Sequence, residues 1–338
     1  DYATVVKFNG SWSGTIDMKR GENNVWSVTL PLPEPEIHTY SFIADGVSLN
    51  DPQNVMVQRD GSRYLSMLLV DGKRTENYRT AGKRGTVSHP WYDSEILGIN
   101  RRLTVYTPYG YEANPKKRYP VLYLLHGAGG DEEAWISMGR TAEILDNLIE
   151  KGLAEPMIVV MPNGNPDQQA AQTLGLPVTS MDRRDPANRN SYVRSLVEEI
   201  VPFIDRNYRT VAKKSHRAIA GLSMGGRHTQ YIGFRNPQLF GSLGILSAAL
   251  TAADEKAFGT DDIAMGRNAK ALNDAKYDYI FIGAGVYETN DNARHALLHK
   301  QLKELGVKHD YYIGGFSAHD FMTWRHLLYF QFLPNLWK

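Results

Sequence analysis

The chain has 338 residues, 42% of them hydrophobic and 22% charged. That composition excludes a globally disordered chain, and the length fits about two domains. With 38 basic and 37 acidic side chains the formal charge is only +1, so no basic excess marks a nucleic-acid partner. Cysteine is absent, which removes disulfides, thiolate metal sites and a cysteine nucleophile.

Residues 1–80 read as short strands cut by turns. Segments 4–8, 25–30, 37–45 and 64–70 are rich in β-branched and aromatic residues, with Gly10, Gly14, Gly21, Asp45-Gly46 and Asp60-Gly61 between them. In 25–30 the alternation places Trp26, Val28 and Leu30 on one face. With no helical period, a small all-β sandwich is expected. Residues 71–89 are polar and aperiodic, and a linker is placed at 81–90.

From residue 91 the rhythm changes. Apolar runs at 103–106, 120–125, 158–161, 217–220, 243–246, 279–282 and 308–313 alternate with helical stretches at 141–151, 191–208, 224–235 and 293–305. Nearly all-apolar strands alternating with helices predict an α/β fold whose mostly parallel sheet is doubly wound, over residues 91–338. Residues 165–189 form a long polar segment of the kind that borders binding sites. No apolar run approaches the about 20 residues needed to span a bilayer. The chain starts at Asp1 without a charged-then-apolar leader, and a mature or trimmed form is expected, its targeting segment, if any, gone.

The sharpest chemical signal is Gly221-Leu222-Ser223-Met224-Gly225. It follows an apolar strand and opens a helix, the setting of a nucleophile elbow, where small residues two positions either side of the serine relieve crowding. A serine there sits at a helix N-terminus, where backbone N–H groups and the dipole favour developing negative charge. Next, His126-Gly127-Ala128-Gly129-Gly130 directly follows the strand at 120–125. Its glycines let the backbone approach a ligand, so the Ala128 and Met224 amides are the expected oxyanion donors. No G-K-[ST] follows, which speaks against a phosphate loop. His126 is expected to hold the loop.

In this architecture the order is Ser, acid, His. His319, in the loop after the strand at 308–313, falls at the same sheet edge as Ser223 and is the expected base. His309 and His216 begin strands and lie towards the opposite edge. His295 and His299 have metal-pair spacing, yet they flank the apolar stripe Leu298, Leu302 and Leu305 and are expected at the surface boundary. The acid belongs after the strand at 279–282, where Glu288 and Asp291 both qualify; Asp291 also suits a helix cap.

VLYLLHGAGGDEEAW, MIVVMPNG, IAGLSMGGRHTQYIGFRNPQLFGSLGILS and AHDFMTWR together resemble the esterase D-like α/β-hydrolases, carbohydrate esterase family 1 in particular, over roughly residues 85–338. The resemblance implies Ser223 as nucleophile, His319 as base and Ala128 and Met224 as oxyanion donors. Where the family carries Gly-x-x-Asp, this chain has Gly285-Val286-Tyr287-Glu288, so the implied acid is Glu288. Residues 1–80, through VWSVTLPLP, HTYSFIADG and DPQN, resemble the immunoglobulin-like modules, related to glycogen-binding domains, that precede such esterases. There Trp12 is a candidate sugar contact, although a packing or spacer role is expected for the module.

These resemblances imply a secreted, periplasmic or cell-surface serine esterase that needs no metal or organic cofactor. Its expected substrate is a feruloylated plant polysaccharide such as arabinoxylan. Alternatives are an acetylated xylan, a siderophore trilactone, or a non-catalytic carbohydrate-binding protein. Gly127, Gly129 and Trp135 are the expected substrate contacts, Trp135 as an aromatic wall against a planar acid.

Overall fold

A computed structural model describes residues 3–60, 63–171, 190–290, 293–315 and 317–338. The chain divides into two compact units, Asp1–Arg79 and Thr80–Lys338.

In the first unit β1 (Val6–Gly10), β2 (Gly14–Asp17), β5 (Ile37–Ala44), β6 (Val47–Leu49), β7 (Val57–Asp60) and β8 (Arg63–Leu69) form an antiparallel sheet of order β2-β1-β5-β8-β7, with β6 on β5. A separate ribbon pairs β3 (Lys19–Arg20) with β4 (Trp26–Ser27). Asp45 and Gly46, at φ 47° and 88°, make the two-residue turn joining β5 to β6, the geometry that Asp-Gly supplies most readily. Trp26, Val28 and Leu30 are half-buried between exposed neighbours. Burial alternates there, but only two residues pair as strand and Trp26 stays outside the core, with Arg20 over its ring. Trp12 is half-buried, edge-on to Phe8 at 5.3 Å and to His38 at 5.3 Å. Its ring therefore packs in part against Phe8 and His38.

The second unit is built on a nine-stranded sheet. Its strands are β9 (Thr86–Ser88), β10 (Trp91–Ser94), β11 (Ile99–Thr107), β12 (Val121–Leu125), β13 (Ile158–Pro162), β14 (Arg217–Leu222), β15 (Ser242–Leu246), β16 (Tyr279–Gly285) and β17 (Asp310–Gly314). The order is β10-β11-β13-β12-β14-β15-β16-β17, with β9 also on β11. From β13 to β17 all pairs are parallel, whereas β11 runs antiparallel to its neighbours. β12, β13, β14 and β15 are buried at every residue, as strands covered by helices on both faces must be.

All of the expected linker 81–90 falls within this unit. Thr86–Ser88 pairs with β11, and the Gly85 N–H donates to Asp146 Oδ1 at 2.8 Å. The expected helix at 191–208 is present over Ser191–Asn207 but carries a π-turn at Leu196–Ile200. Pro202 follows after Val201, and its ring cannot accept a regular preceding turn. From β12 the chain moves outward to β13, whereas from the adjacent β14 it moves the other way to β15, so connections leave these two neighbours in opposite directions. That makes their carboxyl ends the switch point where ligands bind in open α/β sheets.

Candidate active site

Ser223 joins β14 to the helix Met224–Arg235 with φ 52° and ψ −114°. A non-glycine residue there is strained, and strain of this kind survives only where surrounding structure enforces it. The enforcement is main-chain packing. A Cβ on Gly221 would lie 2.5 Å from the Gly225 carbonyl, and a Cβ on Gly225 2.5 Å from the Leu125 carbonyl oxygen. The helix thus rests directly on β12, and the Ser223 N–H donates to Leu246 O on β15 at 2.9 Å.

The Ser223 side chain meets His319, from the loop after β17, with Oγ to Nε2 at 2.9 Å. His319 Nδ1 lies 2.8 Å from Glu288 Oε2. A carboxylate only accepts, so Nδ1 carries the ring proton and Nε2 is left to accept from the serine hydroxyl. Glu288 ends a 3₁₀ turn after β16. Its other oxygen, Oε1, accepts from the Ser247 hydroxyl at 2.6 Å and from the Gly285 N–H at 3.0 Å. Burial pushes the Glu288 carboxyl up, but hydrogen bonds from His319, Ser247 and Gly285 outweigh it and hold the group below the usual carboxylate range. His319 is 49% exposed and Glu288 12%, so the imidazole meets solvent while the carboxylate is sheltered. Asp291, the other carboxylate considered, lies outside the described residues.

The loop after β12 turns at Gly127–Gly130, closed by the Gly130 N–H on Gly127 O at 3.1 Å with Gly129 at φ 82°. A Cβ on Gly127 would sit 3.3 Å from Ser223 Cβ, so the loop lies against the serine. The Ala128 N–H takes no part in the closing bond, and the Met224 N–H, first in its helix, has no intrahelical acceptor. His126 holds the loop as expected: Nδ1 donates to Gly127 O at 2.7 Å and Nε2 accepts the Gly164 N–H at 2.7 Å. The Asn165 amide adds a bond to Gly130 O at 2.8 Å.

Trp135 is not where the sequence placed it. It is 1% exposed, donates from Nε1 to Leu125 O at 3.0 Å and packs edge-on to Phe321. It braces β12 from inside and forms no wall of a pocket. His295 also departs from its expected surface position. It is 3% exposed and bonded through Nδ1 to the Tyr311 hydroxyl at 3.0 Å. His299 turns instead to His309, Nδ1 to Nε2 at 2.8 Å, and stacks on Tyr311 at 4.1 Å.

One cavity includes Ser223, and a second borders Met224, the next residue in the chain. The first, about 380 Å³, holds Ser223, His319, Glu288, Ser247 and Arg294. The other, about 280 Å³, is lined by Val193, Met224, His228, Tyr231, Leu250 and Phe258, among others. Arg227 borders both and donates to Asp254 Oδ1 at 2.6 Å. Burial, with Arg227 and His126 nearby, pushes the His228 imidazole down to about 3. A neutral ring therefore faces the second cavity. Most of the polar segment at 165–189, from residue 172 on, lies outside the described residues.

Sheet order, elbow and glycine loop make this second unit an α/β-hydrolase. The chain belongs to the Esterase family, whose model matches residues 94–333. It is 32% identical over 325 residues to an endo-1,4-beta-xylanase/feruloyl esterase of Xylanibacter ruminicola, a match covering 94% of this chain and 41% of that protein. It is 27% identical over 238 residues to endo-1,4-beta-xylanase Y of Acetivibrio thermocellus, covering 66% of this chain and 20% of that one. The chain thus spans less than half the length of either relative. Among solved structures, a ferulic acid esterase aligns with TM-score 0.59 and 28% identity, over 75% of this chain and 98% of that one. The enterobactin esterase of Shigella flexneri shares the fold over 99% of this chain and 88% of its own, with TM-score 0.71 and 18% identity. Among the described residues no helix is long and apolar enough to cross a membrane.

Proposed function

We propose that the protein hydrolyses hydroxycinnamoyl esters, feruloyl groups on arabinoxylan above all, with Ser223 as nucleophile, His319 as base and Glu288 as the orienting acid. His319 Nε2 takes the Ser223 proton as Oγ attacks the ester carbonyl carbon. The oxygen of that carbonyl, now negative, faces the Ala128 and Met224 amides, each such donor contributing about 2.7–4 kcal/mol. His319 returns the proton to the departing sugar oxygen and leaves an acyl-Ser223. Water then attacks, gives its proton to His319, and the free acid leaves as Ser223 recovers it.

The observation that carries the substrate class is the cavity of about 280 Å³ beyond Met224. Its apolar and aromatic lining suits a planar phenylpropenoid acid and wastes space on acetate. Tyr231 and Phe258 replace Trp135 as the aromatic contacts, and Gly127 and Gly129 keep the loop close to the ester. Burying one aromatic ring favours the feruloyl group by about 1.5–3 kcal/mol, on the order of ten- to a hundredfold. A spacer or packing role for the first unit accords with the half-buried Trp12, and the xylan-directed relatives suit an extracytoplasmic address.

The test is kcat/KM on matched feruloyl and acetyl esters of one sugar. A preference for feruloyl of tenfold or more is expected. Preference for acetyl, or for a catechol-bearing trilactone over both, would overturn the substrate and leave the ester chemistry in place.

A further inference from the structure

Ser247 leaves β15 at φ 53°, a conformation that favours glycine and strains any other residue. It is 7% exposed, and its N–H donates to Gly283 O on β16 at 2.7 Å. Its hydroxyl accepts the Trp324 Nε1–H at 2.9 Å. An indole nitrogen only donates, so the Ser247 proton must go to a different atom, and Glu288 Oε1 lies 2.6 Å away. The Gly285 N–H supplies Oε1 with a second donor. Oε1 is thereby engaged on both sides, and Oε2 is the oxygen turned to His319. Trp324 also sets its ring edge-on to His319, 5.1 Å between centroids at 84°. One indole therefore bears on both ends of the acid–base pair.

We propose that Ser247 is a positioning residue that, oriented by Trp324, fixes the rotation of the Glu288 carboxylate so that Oε2 holds the His319 ring. This rests on the proposed roles of Ser223, His319 and Glu288. Glycine would relieve the strain at this position while removing the hydroxyl, so the side chain's work can be separated from the backbone's.

The experiment measures kcat, KM and Tm of full-length Ser247→Gly, Ser247→Ala, Glu288→Gln and the Ser247→Gly/Glu288→Gln double variant on a soluble nitrophenyl ester. Ser247→Gly should melt within a few degrees of wild type, the backbone strain it relieves offsetting the hydrogen bond lost by Trp324 Nε1–H. Both Ser247 variants should lose about ten- to a hundredfold in kcat, the scale of a hydrogen bond to a charged group, with KM within about twofold. The double variant should be no slower than Glu288→Gln alone, because Ser247 acts through Glu288. Wild-type kcat in Ser247→Gly, or a double variant whose loss is the product of the two single losses, would overturn the proposal. If Glu288→Gln by itself keeps full activity, the role given to Glu288 fails first.

Discussion

His126 and Gly164 tie together the loops that follow β12 and β13, the imidazole Nε2 accepting the Gly164 N–H at 2.7 Å. With Nδ1 donating to Gly127 O, the ring is locked in one neutral tautomer, and burial holds its pKa below the ordinary value. His126→Ala should lower kcat on a small ester about a hundredfold by releasing the Ala128 amide. It also strands the buried Gly164 N–H, at about 1–3 kcal/mol of stability. His126→Gln, which can offer an acceptor, should be milder on both counts. Steady-state kinetics with urea unfolding checks this, and equal losses in the two variants would deny the loop-holding role.

Ser223→Ala should lower kcat by about 10⁶-fold, the scale of nucleophile deletions in related chemistry. The elbow should stay folded, because glycine contacts and not the hydroxyl enforce it. Circular dichroism alongside turnover separates the two. Near-normal turnover would remove Ser223 from the reaction.

Glu288→Gln keeps the shape of the acid but lets the wrong His319 tautomer form. A loss of about 10⁴-fold in kcat is expected from the analogous change in serine proteases, against less than about threefold for Asp291→Asn. The reverse ranking would move the role to Asp291.

Stability should fall as pH drops below about 6.5, before carboxylates titrate. His126, His228 and His295 all have lowered native values, chiefly from burial. Between those values and about 6.5 the unfolded chain binds protons that the native state does not, so stability present above that pH is lost on acidification. For His228 the window runs down to about 3. Tm measured from pH 7.5 to 5 should decline, and His228→Gln should flatten the decline. An unchanged slope would contradict the burial argument.

A chain beginning at Thr80 should hydrolyse a small soluble ester, since every proposed catalytic group lies in the second unit. One beginning at Trp91 should be less stable, having lost β9 and the Gly85–Asp146 bond. Comparing the two by Tm and turnover tests where the unit starts.

The elbow was legible in the sequence because strand, small residues and helix leave a serine little alternative there. Glu288 was legible only as one of two carboxylates until the resemblance singled it out. Ser247 was not, because a lone serine after an apolar run gains meaning only from Trp324, 77 positions away. Trp135 misled because a sequence gives no direction to a side chain beside a turn, and this one points inward to Leu125 O. β9 escaped because three residues in a polar stretch carry no period. The helix Ala252–Phe258 escaped despite a readable capping box, Thr251 with Asp254, for its surroundings are polar and short.

β14 is buried at all six residues between two neighbours, whereas β17, which carries the His319 loop, is bonded on one side only among the described residues and is largely half-buried. Heating should therefore undo the partnership from its outer member. Fraying of the last strand would withdraw the imidazole while the serine still sat on an intact centre. Inactivation would then precede loss of the sheet signal, and on brief heating it would reverse as the strand zips back.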